Sequence, residues 1–325
     1  MDENELGRIH TNQRLVVLEL QRRGVGVELL DPDLELLEAR LGDHVELLLD
    51  RDSSITPYHV SVLAGDKAVA KRLLSRAGLH VPEGESFGPD ETERALAYAQ
   101  ELGYPLVVKP VSGSHGDGVH TDLRSLPHVL HAIQGYPGRR YIIEQQAEGE
   151  EYRIFITNDG RYAALHRDAA HVIGDGVHTI EELAVAETYR RTHPRHDSLC
   201  PIVLDDEVAR YLTQHNRSLA NIPAAGEKTR LRRISNVAKG GVSEDVTGRV
   251  HPTFIDACRR ALAAFPGMPY AGIDVITADI ATPGPYAILE VNSVPGVHMH
   301  MSPGKGASQD VARIIADLIF PETRR

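Results

Sequence analysis

Residues 286–296 read YAILEVNSVPG. The run alternates like a half-buried strand, yet it carries a carboxylate at Glu290 and an amide at Asn292. Strand periodicity places residues i and i+2 on one face, so Glu290 and Asn292 point the same way and Leu289 and Val291 the other. Two hard oxygen donors side by side, followed by Pro295 and Gly296, describe either a solvated sheet face or half of a magnesium site. One strand earlier, YAGIDVITAD (270–279) sets Asp274 among Ile273, Val275 and Ile276. An acid inside an apolar strand is rarely structural unless it is paired or bound to metal. Asp274, Glu290 and Asn292 then form an oxygen-rich cluster of the kind Mg²⁺ uses with phosphates.

Outward from this pair the chain is ordinary in composition. Its 325 residues, 42% hydrophobic and 25% charged, suit a globular protein of two or three structural units. A net charge of −11 argues against general affinity for nucleic acid or an anionic membrane. Cys200 and Cys258 are far apart with no CxxC, which excludes a cysteine-rich zinc site or a disulfide framework and suits a reducing cytoplasm. The start MDENELGRIH is polar and acidic, and no apolar run approaches the ~20 residues of a membrane helix. The expectation is a soluble, cytoplasmic protein of class α+β, with antiparallel strands in the middle and helices outside. Helices are expected at 12–23, 57–63, 67–77, 251–264 and 308–320, and a hairpin turning at Gly42-Asp43.

Three further stretches carry chemistry. In VVKPVSGSHGDGV (107–119) a lysine, Lys109, interrupts an apolar strand, and Gly113, Gly116 and Gly118 follow at once. Buried lysine asks for an anion, and glycines let backbone amides approach a phosphate. Alone, the loop reads equally well as a turn with Lys109 reaching solvent. It is neither GxxxxGK[ST] nor GxGxxG, so a P-loop or Rossmann site is not supported. In YIIEQQAEGEEYRIFI (141–156) Glu144 ends a strand, where an acceptor suits an adenine amino group or a ribose hydroxyl; Glu151 and Arg153 share a face of the next. TRLRRISNVAKGG (229–241) gathers Arg230, Arg232, Arg233 and Lys239 around Asn236, and with Arg167 this set suits carboxylates or a transferring phosphoryl group.

In order, these stretches, with GDKAVAKRLL (65–74) and AHVIGDGVHTIEEL (170–183), resemble the ATP-grasp superfamily over roughly residues 60–320. The likeness is strongest to the ATP-grasp modules of cyanophycin synthetase and bifunctional glutathione synthetase. It implies a small, truncated N-terminal α/β unit at 1–65 and an ATP-grasp domain at 66–320. Within the latter fall a glycine-loop lid subdomain at about 104–150 and a C-terminal Mg-ATP and substrate subdomain at 151–320, with an insert at 171–245.

The resemblance also assigns roles. Lys67, Lys109, Ser112, Gly113, Ser114, Gly116 and Gly118 would hold the ATP phosphates, Glu144 the adenine and Glu151 the ribose. Asp274, Glu290 and Asn292 would hold one or two Mg²⁺ ions, with Mn²⁺ able to substitute, and Arg167, Arg232 and Asn236 would steady the acyl phosphate and the substrate carboxylate. The implied activity is an ATP-dependent amide ligation through an acyl phosphate, with amino-acid substrates, one of them glutamate or aspartate, and room for a homodimer. Extension of a larger peptide or polymer end, and a non-catalytic ATP sensor, remain alternatives. Where relatives carry Ser-Thr-Gly-Gly, this chain has Ala238-Lys239-Gly240-Gly241, which puts the accepted acid in question.

Overall fold

The computed structural model describes residues 1–50, 52–113, 118–193 and 199–324. At its centre is a five-stranded antiparallel sheet in the spatial order Val242–Asp245, Tyr162–Asp168, Glu150–Thr157, Tyr270–Thr277, Tyr286–Asn292. Both faces are covered, which is why RIFIT and YAGIDVIT read as nearly continuous apolar runs although the strands are antiparallel. Ile154, Ile156, Ala271, Ile273 and Val275 pack beneath the helices Tyr58–Gly65, Lys67–Arg76 and Pro252–Ala263. Phe155, Ala163 and Tyr270 point the other way, into a core shared with the helices Thr11–Arg22 and Val311–Ile319.

The first 65 residues therefore have no separate core. Their four-stranded meander, Gly26–Asp31 to Asp52–Ser53, contributes Val27, Leu37, Ala39 and Leu48 to that same core. An ion network fastens them to the other end of the chain. Arg23 meets Glu19 and Asp317, each at 2.7 Å, and Arg161 reaches the second Asp317 oxygen at 2.5 Å.

A second four-stranded sheet, in the order Gly84–Phe87, Tyr141–Gln145, Leu106–Pro110, His120–Leu123, is roofed by the helices Thr92–Leu102 and Leu126–Gln134. Leu106, Val108, Tyr141 and Ile143 face the roof, so Val107, Lys109, Ile142 and Glu144 fall on the open side by simple alternation. The edge strand Gly84–Phe87 starts this unit some twenty residues before the expected boundary at 104. The insert is likewise shorter than 171–245. Its strand pair His171–Ile173 and Lys228–Arg230 carries the helices Ile180–Thr192 and Asp206–Gln214, while Val242–Asp245 belongs to the central sheet.

The expected helices are present with their ends shifted by at most three residues, and Gly42 turns the hairpin at φ 60°. No helix among the described residues is long and apolar enough to cross a membrane.

Candidate active site

One cleft of about 1080 Å³ runs between the open face of the second sheet and the end of the central sheet. Its floor is set by strand register. Asp274 stands opposite Glu290 on one side and Arg153 on the other, and Gly272 stands opposite Asn292. Gly272 cannot carry a side chain, because a Cβ there would lie 2.8 Å from Pro295 Cβ in the turn that follows Asn292.

The alternation expected around Glu290 is broken. The register slips between Asp274 and Val275, so that Leu289 is the extra residue of a bulge. Ile288 and Val291 enter the core, whereas Leu289 and Glu290 both face the cleft. Leu289 is thus not on the face opposite Glu290.

Asp274 accepts two bonds from Arg153, Nε to Oδ1 and Nη2 to Oδ2, both 2.7 Å, and a longer one of 3.4 Å from Arg167 Nη1. Burial opposes its charge, but Arg153, helped by Arg167 and Lys67, holds its pKa below the ordinary value. Arg167 also donates to Glu151 at 2.7 Å and to the Ser235 carbonyl at 2.9 Å, and the Ser235 hydroxyl donates to the other Glu151 oxygen. Burial pushes Glu151 up despite Arg167, and the neighbouring Asp274 charge adds to the rise. Both Glu151 oxygens are engaged, so this carboxylate braces the floor.

Glu290 is the more open acid. Its only ion pair among the described residues is with Lys67, at 3.2 Å, and the same ammonium donates to the Gly113 carbonyl at 2.6 Å. Asn292 donates through Nδ2 to the Gly272 carbonyl at 3.3 Å, leaving Oδ1 as its acceptor. Two carboxylates and an amide oxygen on adjacent strand ends, all lining the cleft, are a hard-oxygen set that fits a magnesium ion. A lysine ammonium already stands against Glu290 as a cation.

On the opposite wall Glu144, expected to meet the adenine, stands between two lysines. Its two oxygens are held by Lys71 and Lys109, each at 2.5 Å. Burial opposes the carboxylate, but the two lysines keep its pKa low, and burial in turn lowers that of Lys71. Lys71 was not among the expected residues. Its signal was present in GDKAVAK, where Lys67 and Lys71 are four apart on one helix and so share a face.

The substrate loop is the larger correction. Arg232 is fully buried and does not reach the cleft. Its guanidinium donates to Glu207 at 2.8 Å and to the Val203 carbonyl at 2.6 Å, and Asp205 lies at 3.4 Å. Lys239 meets the same two acids and Arg233 meets Glu148. The charge crowded into 229–241 is therefore answered inside the protein. Asn236 does line the cleft, where its side chain accepts from the Ala238 amide at 2.9 Å and caps a 3₁₀ turn. Ser112 is exposed, Gly113 lines the cleft, and Gly118 closes the loop at φ 70°. Ser114 and Gly116 lie outside the described residues. Among the described residues no three His, Cys, Asp or Glu side chains cluster as a metal site, so any metal here rests on the Asp-Glu-Asn set.

Two facing sheets enclose this cleft, with lysines on one wall and an Asp-Glu-Asn set on the other, and comparison with known proteins gives the architecture a family. Residues 66–131 match the family model described as carbamoyl-phosphate synthase L chain, ATP binding domain. The chain is 34% identical over 269 residues to cyanophycin synthetase of Trichormus variabilis, covering 80% of this chain and 29% of that protein. It is 31% identical over 324 residues to the glutathione biosynthesis bifunctional protein GshAB of Enterococcus faecalis, covering 95% and 42%. The crystal structure of a bifunctional glutathione synthetase from Pasteurella multocida superposes with a TM-score of 0.69 at 26% identity, over 97% of this chain and 44% of that one. The chain carries an ATP-grasp domain and has the α+β ATP-grasp fold. It spans less than half the length of these relatives.

Proposed function

We propose that this protein is an ADP-forming carboxylate-amine ligase that joins amino-acid or peptide substrates through an amide bond. The observation that carries the reading is the pairing of Asp274, Glu290 and Asn292 with Lys67 and Lys109 across one cleft. Cations on one wall and oxygen donors on the other suit a triphosphate held by its charge, with its terminal phosphorus over the floor. A substrate carboxylate oxygen attacks the γ-phosphorus, the bridging P–O bond breaks, and ADP leaves. The amine nitrogen of the second substrate then attacks the acyl carbon, the C–O bond to phosphate breaks, and the amine proton passes to solvent. Magnesium, when bound at Asp274, Glu290 and Asn292, neutralises phosphate oxygens in this transfer.

The chain's own residues position and shield. Lys67 and Lys109 draw the phosphates in, and Glu144 keeps Lys109 and Lys71 aligned until they do. Arg167, fixed by Glu151 and the Ser235 carbonyl, stands at the floor beside Asp274, where an acyl phosphate would lie. The expectation that the activated acid is glutamate or aspartate loses its motive at Arg232, Arg233 and Lys239, since all three are internally paired. Isotope transfer tests the proposal: a substrate labelled with ¹⁸O in its carboxylate should pass one label to inorganic phosphate. Phosphate free of label while amide forms would refute the acyl phosphate.

A further inference from the structure

The cleft holds a cation that this mechanism does not use. Arg153, Arg167, Arg230 and Arg233 all face it, and each is ion-paired, to Asp274, Glu151, Glu150 and Glu148 respectively. Lys67 and Lys109 are paired with Glu290 and Glu144. Arg14 lines the same cleft, half-buried, and among the described residues its guanidinium makes no hydrogen bond or ion pair.

Its position is fixed from behind. Arg14 lies near the start of the helix Thr11–Arg22, whose Asn12 side chain accepts from the His298 amide at 2.8 Å. The neighbouring Gln13 is buried and donates to the Glu35 carbonyl at 3.2 Å. His298 is six residues past Asn292, so the helix is moored to the loop that leaves the floor of the site. Leu15 and Met299 also line the cleft and add apolar surface to it.

A guanidinium stays charged at every pH a protein meets, and partial burial without a counter-ion is costly. The favourable occupant of such a place is an anion with a planar pair of oxygens, which the guanidinium fork meets bidentately. The triphosphate is met elsewhere, by Lys67 and Lys109. We infer that Arg14 binds the non-reacting carboxylate of an amino-acid or peptide substrate and so helps to choose that substrate. This assignment rests on the ligase reading and gives it a recognition site beside the loop that leaves the floor.

The test uses the full chain with Mg-ATP. ADP release is first scanned over all pairs of the common amino acids, and over short peptides combined with each of them, to find an active pair. Saturation curves for ATP and for both amino acids are then compared between wild type, Arg14→Ala and Arg14→Lys. Arg14→Ala should raise KM for one amino acid by about tenfold or more, the loss expected of a charge-assisted contact. KM for ATP and kcat should stay within about twofold, a pattern of lost ground-state binding. Arg14→Lys should recover part of the loss. The carboxamide analogue of that amino acid should show the same weak KM with wild type and Arg14→Ala. Unchanged amino-acid KM values in Arg14→Ala, or a rise in KM for ATP instead, would overturn the assignment alone. A folded wild type that releases no ADP with any pair would overturn the ligase reading and the assignment with it.

Discussion

Asp274 and Glu290 stand directly opposite each other on neighbouring strands, but they do different work because their partners differ. Asp274 is held through both oxygens by Arg153 and touched by Arg167, whereas the only ion pair of Glu290 among the described residues is with Lys67. Substituting them should therefore have separable effects. Glu290→Gln should keep the wild-type unfolding temperature while ADP release falls by about 100-fold or more at saturating Mg²⁺. Asp274→Asn weakens the answer to a buried arginine and should also lower stability, by about 3–5 kcal/mol if the pair is fully lost. Near-normal turnover by Glu290→Gln would remove the metal assignment.

The Lys71–Glu144–Lys109 triad predicts a second separation. Glu144→Gln leaves two buried ammonium groups facing each other and should cost about 3–5 kcal/mol in denaturant unfolding. Adding Lys71→Met to that variant removes the extra charge and should return part of the loss. A double variant less stable than Glu144→Gln would mean that Lys71 is held by something other than its charge partner.

Much of this was legible in the sequence. The floor acids announced themselves because Asp274 and Glu290 interrupt apolar strands, and Lys109 stood out for the same reason. What was not legible depended on partners distant in the chain. Arg232 looked like a substrate ligand because its answering acids, Asp205 and Glu207, lie on a separate helix some 25 residues away. The Leu289 bulge is a register slip that leaves no mark in a sequence of apolar residues. The strands His171–Ile173 and Lys228–Arg230 are three residues each, too short to show a period, and 54 residues separate them.

Arg232→Ala accordingly should behave as a stability variant. Removing a fully buried guanidinium takes away the partner of the Val203 carbonyl and leaves Glu207 with Lys239 alone, and the unfolding temperature should fall while any KM that can be measured stays close to wild type. An unchanged unfolding temperature with a large rise in an amino-acid KM would return Arg232 to the substrate site.

Acid should weaken the ion pairs at the end of the helix Thr11–Arg22. Hydrogen bonding to Arg22, working against burial and joined by Arg23, lowers Glu19 from an ordinary 4.5 to about 2. A lowered acid contributes stability that is fully present above its unfolded pKa and is lost as pH falls through the folded one. The difference in unfolding temperature between wild type and Glu19→Gln should thus be constant above pH 4.5 and shrink steadily towards pH 2. A gap independent of pH over that window would show that the Glu19 charge is not what stabilises the helix.

The central claim is that the cleft couples ATP cleavage to amide formation, and product stoichiometry tests it most directly. Purified protein would be incubated with Mg-ATP and defined pairs of amino acids or short peptides, with nucleotides and condensation products quantified together by mass spectrometry. Ligation predicts one ADP and one phosphate for each amide, a product mass equal to the two substrates less one water, and loss of all three with Glu290→Gln. Formation of AMP and pyrophosphate, or ADP release with no condensed product from any pair, would contradict it.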